Sequence, residues 1–336
     1  MAARHRRETA PVMNDRPWTA GYGARPPRIG AAAGADLDGR RGPWVTTRIV
    51  VGVDGSPPSE AALCWAAREA ERRRAELVVL VVYNWRTSTV QIQVSHEFGE
   101  YVRDLAMSIM EAAVAEARTV APHAHVHGAA VFGEPVRVLS EAGNDAEMLV
   151  VGGRGSGGFA RLLAGSVSVQ LAARMPVPVT VVRGRDDDCD ETDPVVVGVD
   201  GSASADAATG LAFEEAAQRG CRLVAGFAYD VSTPPWTAGA PAAEYDTGRI
   251  QDELRAALVG HVARWHDKYP DVPVDYVVDQ GSPAAVLTRW SRHAQLLVVG
   301  CHGHGATTGA LPGAVWLQLI HHADCPVLIA RSPENA

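Results

Sequence analysis

The chain repeats itself, and that constrains its fold more than any other feature. Arg48-Ile-Val-Val-Gly-Val-Asp-Gly-Ser56 returns as Pro194-Val-Val-Val-Gly-Val-Asp-Gly-Ser202, which sets Asp54 and Asp200 146 residues apart. Gly133-Glu-Pro135 then matches Gly281-Ser-Pro283. Gly152, Gly155 and Gly165 match Gly300, Gly303 and Gly313, and Pro178 matches Pro326, all at an offset of 148. A constant offset with one two-residue slip is a duplication. The period is too long for a solenoid, so each copy is a domain.

Within the first copy, apolar runs alternate with helical spacing. Ile49 to Val53, Leu77 to Tyr83, Val126 to Val131, Glu147 to Val151 and Val179 to Val182 read as strands. The first lacks polar alternation, as a strand covered on both faces does. Helices are expected from Ser56 to about Arg74, Phe98 to Thr119, Pro135 to Ala142, and from Gly165 onward, with Leu105, Ile109 and Ala113 spaced for one face. The second copy predicts strands at Val195–Val199, Leu223–Phe227, Pro273–Val278, Gln295–Val299 and Val327–Ala330, with helices over 203–219, 247–268, 283–293 and 313–322. Strands separated by helices imply an α/β protein of two tandem, doubly wound, five-stranded parallel-sheet domains. Ligands of such sheets sit past the carboxyl ends of the strands, where strand order reverses.

The predicted boundaries are a leader over 1–45, domains over 46–183 and 194–332, and a linker over 184–193 rich in aspartate. Clustered like charge resists burial. The leader holds eight arginines against four acidic residues before Trp44 and lacks the apolar core of a secretory signal. It is expected to be too polar to fold, and Met13 is an alternative start. Hydrophobic residues at 47 % and charged residues at 21 % suit globular domains. A net charge of -8 offers nucleic acid no general attraction. No apolar run is long enough to cross a membrane. Five cysteines without a CxxC pair argue against a disulfide framework and for a reducing cytoplasm.

The sharpest chemical feature is Val151-Gly-Gly-Arg-Gly-Ser-Gly-Gly-Phe-Ala-Arg-Leu-Leu-Ala-Gly-Ser166, between a buried strand and a helix. Its glycines let backbone N–H groups converge, and the helix opening at Gly165 and Ser166 has free N–H groups and a positive end that suit an anion. Ser166 and Ser168 bring further hydroxyl donors. The lysine of the Walker loop is missing, and the dinucleotide fingerprint belongs after the first strand, where this chain has Asp54-Gly-Ser-Pro. Asp54 is placed to accept from a ribose hydroxyl or adenine amine, or to hold a metal ion. The plainer alternative is a turn or cap aspartate for the next helix.

A strand-end aspartate, then Gly-x-x-Gly, nine residues and Gly-Ser on a five-strand α/β unit resembles the universal stress protein family. More narrowly, it looks like the tandem-domain actinobacterial members and the ATP-binding branch. That resemblance implies an adenine-nucleotide alpha-hydrolase-like sheet of order 3-2-1-4-5 and ATP, with or without Mg, as ligand. It implies that Val53 and Asp54 line the adenosine end, with Val82 near the base. Gly152, Gly155, Gly165 and Ser166 then surround the phosphates, with Val167 and Ser168 behind. Asp200, Gly300, Gly303 and Gly313 are the counterparts in copy two. The resemblance also implies pairing through the last strands, Val179–Val182 and Val327–Ala330, within one chain or in a homo-oligomer.

Copy two departs from this pattern. Ala314 replaces the serine, Val315-Trp316 replaces Val167-Ser168, and His302 and His304 replace Arg154 and Ser156. Weaker nucleotide binding there is expected, with Trp316 filling phosphate space, unless a histidine substitutes as a phosphate contact. Cys301, His302 and His304 form a weak metal signal. His123, His125 and His127 alternate as on an exposed sheet surface. No nucleophile–base–acid constellation emerges, so catalysis is not expected, and a slow ATPase is the enzymatic alternative. The expectation is an ATP-binding stress or regulatory protein whose first domain holds the nucleotide. Its rival is an interaction module on the same scaffold that binds no nucleotide.

Overall fold

The computed structural model describes residues 47–84, 96–153, 165–183, 192–230, 247–302 and 314–331. The leader and most of the linker lie outside the described residues, as do Gly155, Gly303 and Gly313. Among the described residues, copy one contributes β1 (Arg48–Val53), α1 (Pro57–Arg73), β2 (Glu76–Tyr83), α2 (His96–Val120), β3 (His125–Phe132), α3 (Pro135–Gly143), β4 (Met148–Gly152), α4 (Ser166–Arg174) and β5 (Val179–Val182). Copy two contributes β6 (Val195–Gly198), α5 (Ala203–Arg219), β7 (Leu223–Tyr229), α6 (Thr247–Lys268), β8 (Val274–Gln280), α7 (Pro283–Trp290), β9 (Leu296–Gly300), α8 (Ala314–His322) and β10 (Val327–Ala330).

The strands join in one sheet of order β3-β2-β1-β4-β5-β10-β9-β6-β7-β8. Each half has the 3-2-1-4-5 order and is parallel throughout. The halves meet antiparallel, Val327 opposite Val181 and Ile329 opposite Val179. That pairing satisfies the main-chain groups that β5 and β10 would otherwise present as edges. The last-strand pairing therefore occurs within one chain.

β1, β2 and β4 are nearly solid runs of buried valine, leucine and isoleucine because helices cover both faces. α1 and α2 pack on one face and α3 and α4 on the other, and copy two follows suit. A single apolar core runs from Ile49 and Leu63 in copy one to Phe213 and Leu223 in copy two.

Local chemistry sets the element ends. α1 starts with Pro57 in its first turn, where a missing N–H costs nothing. It stops at Arg74, which takes the left-handed conformation (φ 54°) that its counterpart Gly220 (φ 64°) adopts without strain. α3 follows Gly133-Glu-Pro135, whose Glu134 carboxylate caps Val136 N at 3.1 Å and Arg137 N at 2.7 Å. The helix expected over 283–293 ends at Trp290, and Ser291–His293 form a 3-10 turn. His123 precedes β3, while His125 and His127 stand exposed on it.

The two copies also meet through charge. Glu69 and Arg73 on α1 face Glu215 and Arg219 on α5, each pair 146 residues from its counterpart. Arg219 Nη2 lies 2.9 Å from Glu69 Oε2, and Arg73 bonds to Glu69, Glu215 and Glu147. Both glutamates are wholly buried, and the two arginine side chains are 3 % and 4 % exposed. Burial opposes ionisation of Glu69, yet Arg219, Arg73 and Arg72 outweigh it and hold the carboxyl at about 2. Burial and the Glu69 charge push Glu215 up, against Arg219 and Arg73.

Candidate functional site

The carboxyl ends of β1 and β4 are neighbours, Gly52 opposite Val151, at the point where strand order reverses. Asp54 leaves β1 here and enters a turn with Gly55 at φ +75°. Its Oδ1 accepts from Ser56 N at 3.1 Å and from Ser56 Oγ at 2.6 Å. The turn reading of Asp54 is thus realised, and it diverts the Ser56 hydroxyl from capping α1. Asp54 N donates to Ser59 Oγ at 3.2 Å, which in turn donates to Ser56 O at 2.8 Å. Val53 is buried, and Val82 is half-buried one residue past the Val53–Val81 pairing.

Gly152 has a packing reason to be glycine. A Cβ there would lie 2.6 Å from Pro58 O and 3.0 Å from Ser59 N. The first turn of α1 rests directly on the end of β4, and only a residue without a side chain lets it do so. Gly300 is the same in copy two, where a Cβ would meet the Ser204 backbone at 2.7 Å.

Gly153 N donates to Val182 O at 3.0 Å, and Gly165 N donates to Gly153 O at 2.9 Å. The ends of the 154–164 segment are therefore tied together. Gly165 is the N-cap of α4 and has no side chain to satisfy the helix. The first helical bond runs from Val169 N to Gly165 O at 3.3 Å. The N–H groups of Ser166, Val167 and Ser168 precede it and have no intrahelical partner. Ser166 is exposed, Val167 is half-buried and Ser168 is buried. Ser168 Oγ donates to Gly165 O at 2.9 Å, so its hydroxyl hydrogen is spent inside the protein. The donors that this end presents are backbone amides, with the Ser166 hydroxyl beside them.

The contacts Asp54–Ser59–Gly152–Gly153–Gly165 bring together residues widely spaced in sequence. Pro58, Ser59 and Gly153 belong to this cluster and carried no motif of their own. The hydroxyl of Ser59, three residues into the helix start, was the available signal.

In copy two, Asp200 Oδ1 accepts from Ser202 N at 3.0 Å, and Asp200 is exposed where Asp54 is half-buried. Ser202 accepts from Ala205 N at 3.2 Å and so caps α5. Ser204, the counterpart of Pro58, bonds to both O and N of His302 and pins the glycine turn to α5. Cys301 Sγ lies 3.0 Å from His302 Nδ1. Among the described residues no three histidine, cysteine or acidic side chains gather as metal donors; His304 lies outside them. Trp316 is 8 % exposed and stands at the sequence position that matches the buried Ser168.

Comparisons with known proteins agree with this architecture. The model of the universal stress protein family matches the chain twice, over residues 46–183 and 191–331. A universal stress protein of Mycobacterium tuberculosis is 38 % identical over 289 residues, spanning 84 % of this chain and 96 % of that protein. One from Mycolicibacterium smegmatis is 34 % identical over 293 residues, with the same coverage. The crystal structure of a universal stress protein from Archaeoglobus fulgidus shares the fold, with a TM-score of 0.61 at 17 % identity, over 86 % of this chain and all of that one. Two matched repeats, two like halves of one sheet and relatives matched along nearly their whole length have one reading: this chain belongs to the universal stress protein family, as a tandem member of the actinobacterial type.

Proposed function

We propose that the first repeat binds an adenine nucleotide, ATP being the expected form, and that the chain acts as a nucleotide-responsive stress or regulatory protein in the cytoplasm. The observation that carries this reading is the start of α4. Three backbone N–H groups lie before the first helical bond, at a helix end capped by a residue with no side chain. Such an end attracts phosphate through both its donors and its dipole. The Asp54 turn follows β1, whose end lies beside that of β4, and this supports a role for its carboxylate toward the sugar. Val53 and Val82 are the apolar residues proposed to receive the base. Gly155, which lies outside the described residues, belongs to the same proposed cradle in sequence. In copy two Asp200, Gly300, Gly303 and Gly313 are the corresponding set, and weaker binding is expected there because Ser204 pins the turn.

If Mg accompanies the nucleotide, the Asp54 carboxylate is the group of this site suited to an oxygen-liganded cation. The metal would supply charge neutralisation of the phosphates. The protein's own residues would bind and orient.

The rival reading, an interaction module without nucleotide, draws on one fact. Asp54 Oδ1, the Ser168 hydroxyl and Gly152 all have internal roles that need no ligand. Mass spectrometry of small molecules released from the purified, denatured protein separates the two, followed by titration with ATP and Mg. About one equivalent of nucleotide, or saturable micromolar binding, supports the first reading. Neither result leaves the rival.

A further inference from the structure

We infer that each candidate phosphate helix is held in place by an arginine of the other repeat, so that the two candidate sites are mechanically coupled within one chain. Arg183 directly follows β5 of copy one, and Arg331 directly follows β10 of copy two, 148 residues later. The antiparallel pairing of those strands sends each arginine across the junction. Arg183 Nη1 donates to Ile320 O at 2.6 Å, and its Nε approaches Ala323 O at 3.4 Å, both at the end of α8. Arg331 Nη2 donates to Ala172 O, near the end of α4. Ala172 and Ile320 are themselves counterparts at the 148 offset.

These carbonyls are ones a helix cannot satisfy for itself. Met175 N and Ala323 N take the carbonyls of Leu171 and Leu319, which leaves Ala172 O and Ile320 O without a helical donor. A guanidinium there forms a charge-assisted bond and complements the negative helix end. α4 and α8 are only 9 residues each. So short a helix depends on such end contacts and tertiary packing for its position. The opposite ends of the same helices form the candidate anion sites.

Arg183 also reaches the first site directly. A Cβ on Gly153 would lie 2.9 Å from Arg183 Cγ, so the arginine stem rests on the glycine turn that receives the Gly165 N–H. One side chain thereby touches the turn of copy one and holds the helix of copy two. Anything that shifts the turn moves the support of α8, and coupling between two sites acts equally in both directions. In copy two the residue matching Gly153 is Cys301, so the contact is not mirrored and the two directions run through different atoms.

The inference rests on the nucleotide reading for its ligand but is tested separately from it. Full-length protein is compared with its Arg331→Ala, Arg331→Lys and Arg183→Ala variants by hydrogen exchange of the α4 and α8 amides, and by ATP titration with Mg. Arg331→Ala is expected to speed exchange in α4 roughly tenfold while sparing α8, the helix of its own repeat. Arg183→Ala is expected to do the reverse. ATP affinity at the first site is expected to fall roughly three- to tenfold in Arg331→Ala. Arg331→Lys, which keeps the charge but loses the fork, is expected to fall between. Unchanged exchange in the helix across the junction, in a folded variant, overturns the inference. If Arg331→Ala does not fold, the lysine variant decides on the same criterion. Absence of ATP binding by the unaltered protein overturns the nucleotide reading alone, because the exchange measurement still decides the clamp.

Discussion

Glu69 Oε2 and Arg219 Nη2 meet 2.9 Å apart across the seam between the repeats, at the end of α1 remote from the Asp54 turn. With Arg73 and Glu215 they form a self-complementary quartet, because the same Glu-x-x-x-Arg spacing comes from both copies. Each glutamate touches an arginine of its own helix and one of the other.

Removing one member leaves buried charge uncompensated. Glu69→Gln is expected to destabilise the full chain by about 3–5 kcal/mol, since Arg73 and Arg219 lose one of the two carboxylates they share in a dry setting. Replacing all four residues by apolar ones of similar volume is expected to cost far less. Denaturant unfolding of the two variants checks both statements.

Acid probes the same quartet. The Glu69 carboxyl is held at about 2 against an ordinary value of 4.5. A lowered folded value means that its contribution is complete above the unfolded pKa and is lost as pH falls from about 4.5 to about 2. Glu215 runs the other way, because its raised carboxyl contributes while protonated and loses that contribution as pH rises through its folded value. Unfolding free energy measured against pH is expected to fall through the acid window in the parent chain and to fall less in Glu69→Gln.

Gly152→Ala tests packing apart from ligand binding. The new methyl meets the Pro58 carbonyl, a backbone atom that cannot swing away. A loss of about 1–3 kcal/mol is expected in nucleotide-free protein. No loss there would mean that α1 tolerates displacement from β4.

Gly165→Asp sets an intramolecular anion against an external one. The backbone at Gly165 is extended (φ -70°, ψ 145°), a conformation that needs no glycine. An aspartate is a good N-cap, and stability is expected to stay level or rise by a few tenths of a kcal/mol. Its carboxylate would occupy the free amides of α4 and repel phosphate. ATP affinity is expected to drop at least tenfold by calorimetry, with an unchanged or slightly higher melting temperature.

Arg74→Gly is expected to stabilise the chain by about 1 kcal/mol. Arg74 sits left-handed at φ 54°, where a side chain costs about 1–2 kcal/mol, and copy two already uses Gly220 at the same point. Thermal unfolding reads the gain directly.

Much of this was legible in the residues. Ile49–Val53 announced a buried strand because a strand covered on both faces has no reason to alternate. The repeated Val-Gly-Val-Asp-Gly-Ser announced two like units. The Gly165 helix start was recognisable because a glycine before a helix leaves amides exposed. Less visible was the private use of expected ligand groups. Ser168 looked like a donor, but its hydroxyl turns to Gly165 O. The direction of that one side chain near a helix start decided the outcome, and linear spacing does not fix it. Glu69 and Arg73 stand four residues apart, a spacing common on helix surfaces, and the approach of α5 is what buries them.

By itself the sequence determined the elements and their parallel arrangement within each copy, because these follow from local spacing of apolar residues, and its glycines and strand-end aspartate carried the family resemblance that implied the strand order. The tertiary structure decided that the last strands, β5 and β10, pair within one chain, and it alone showed the quartet between α1 and α5 and the crossed reach of Arg183 and Arg331. Those contacts pair residues well over a hundred positions apart, so their energies depend on which surfaces meet in space. No local stretch of chain encodes that meeting.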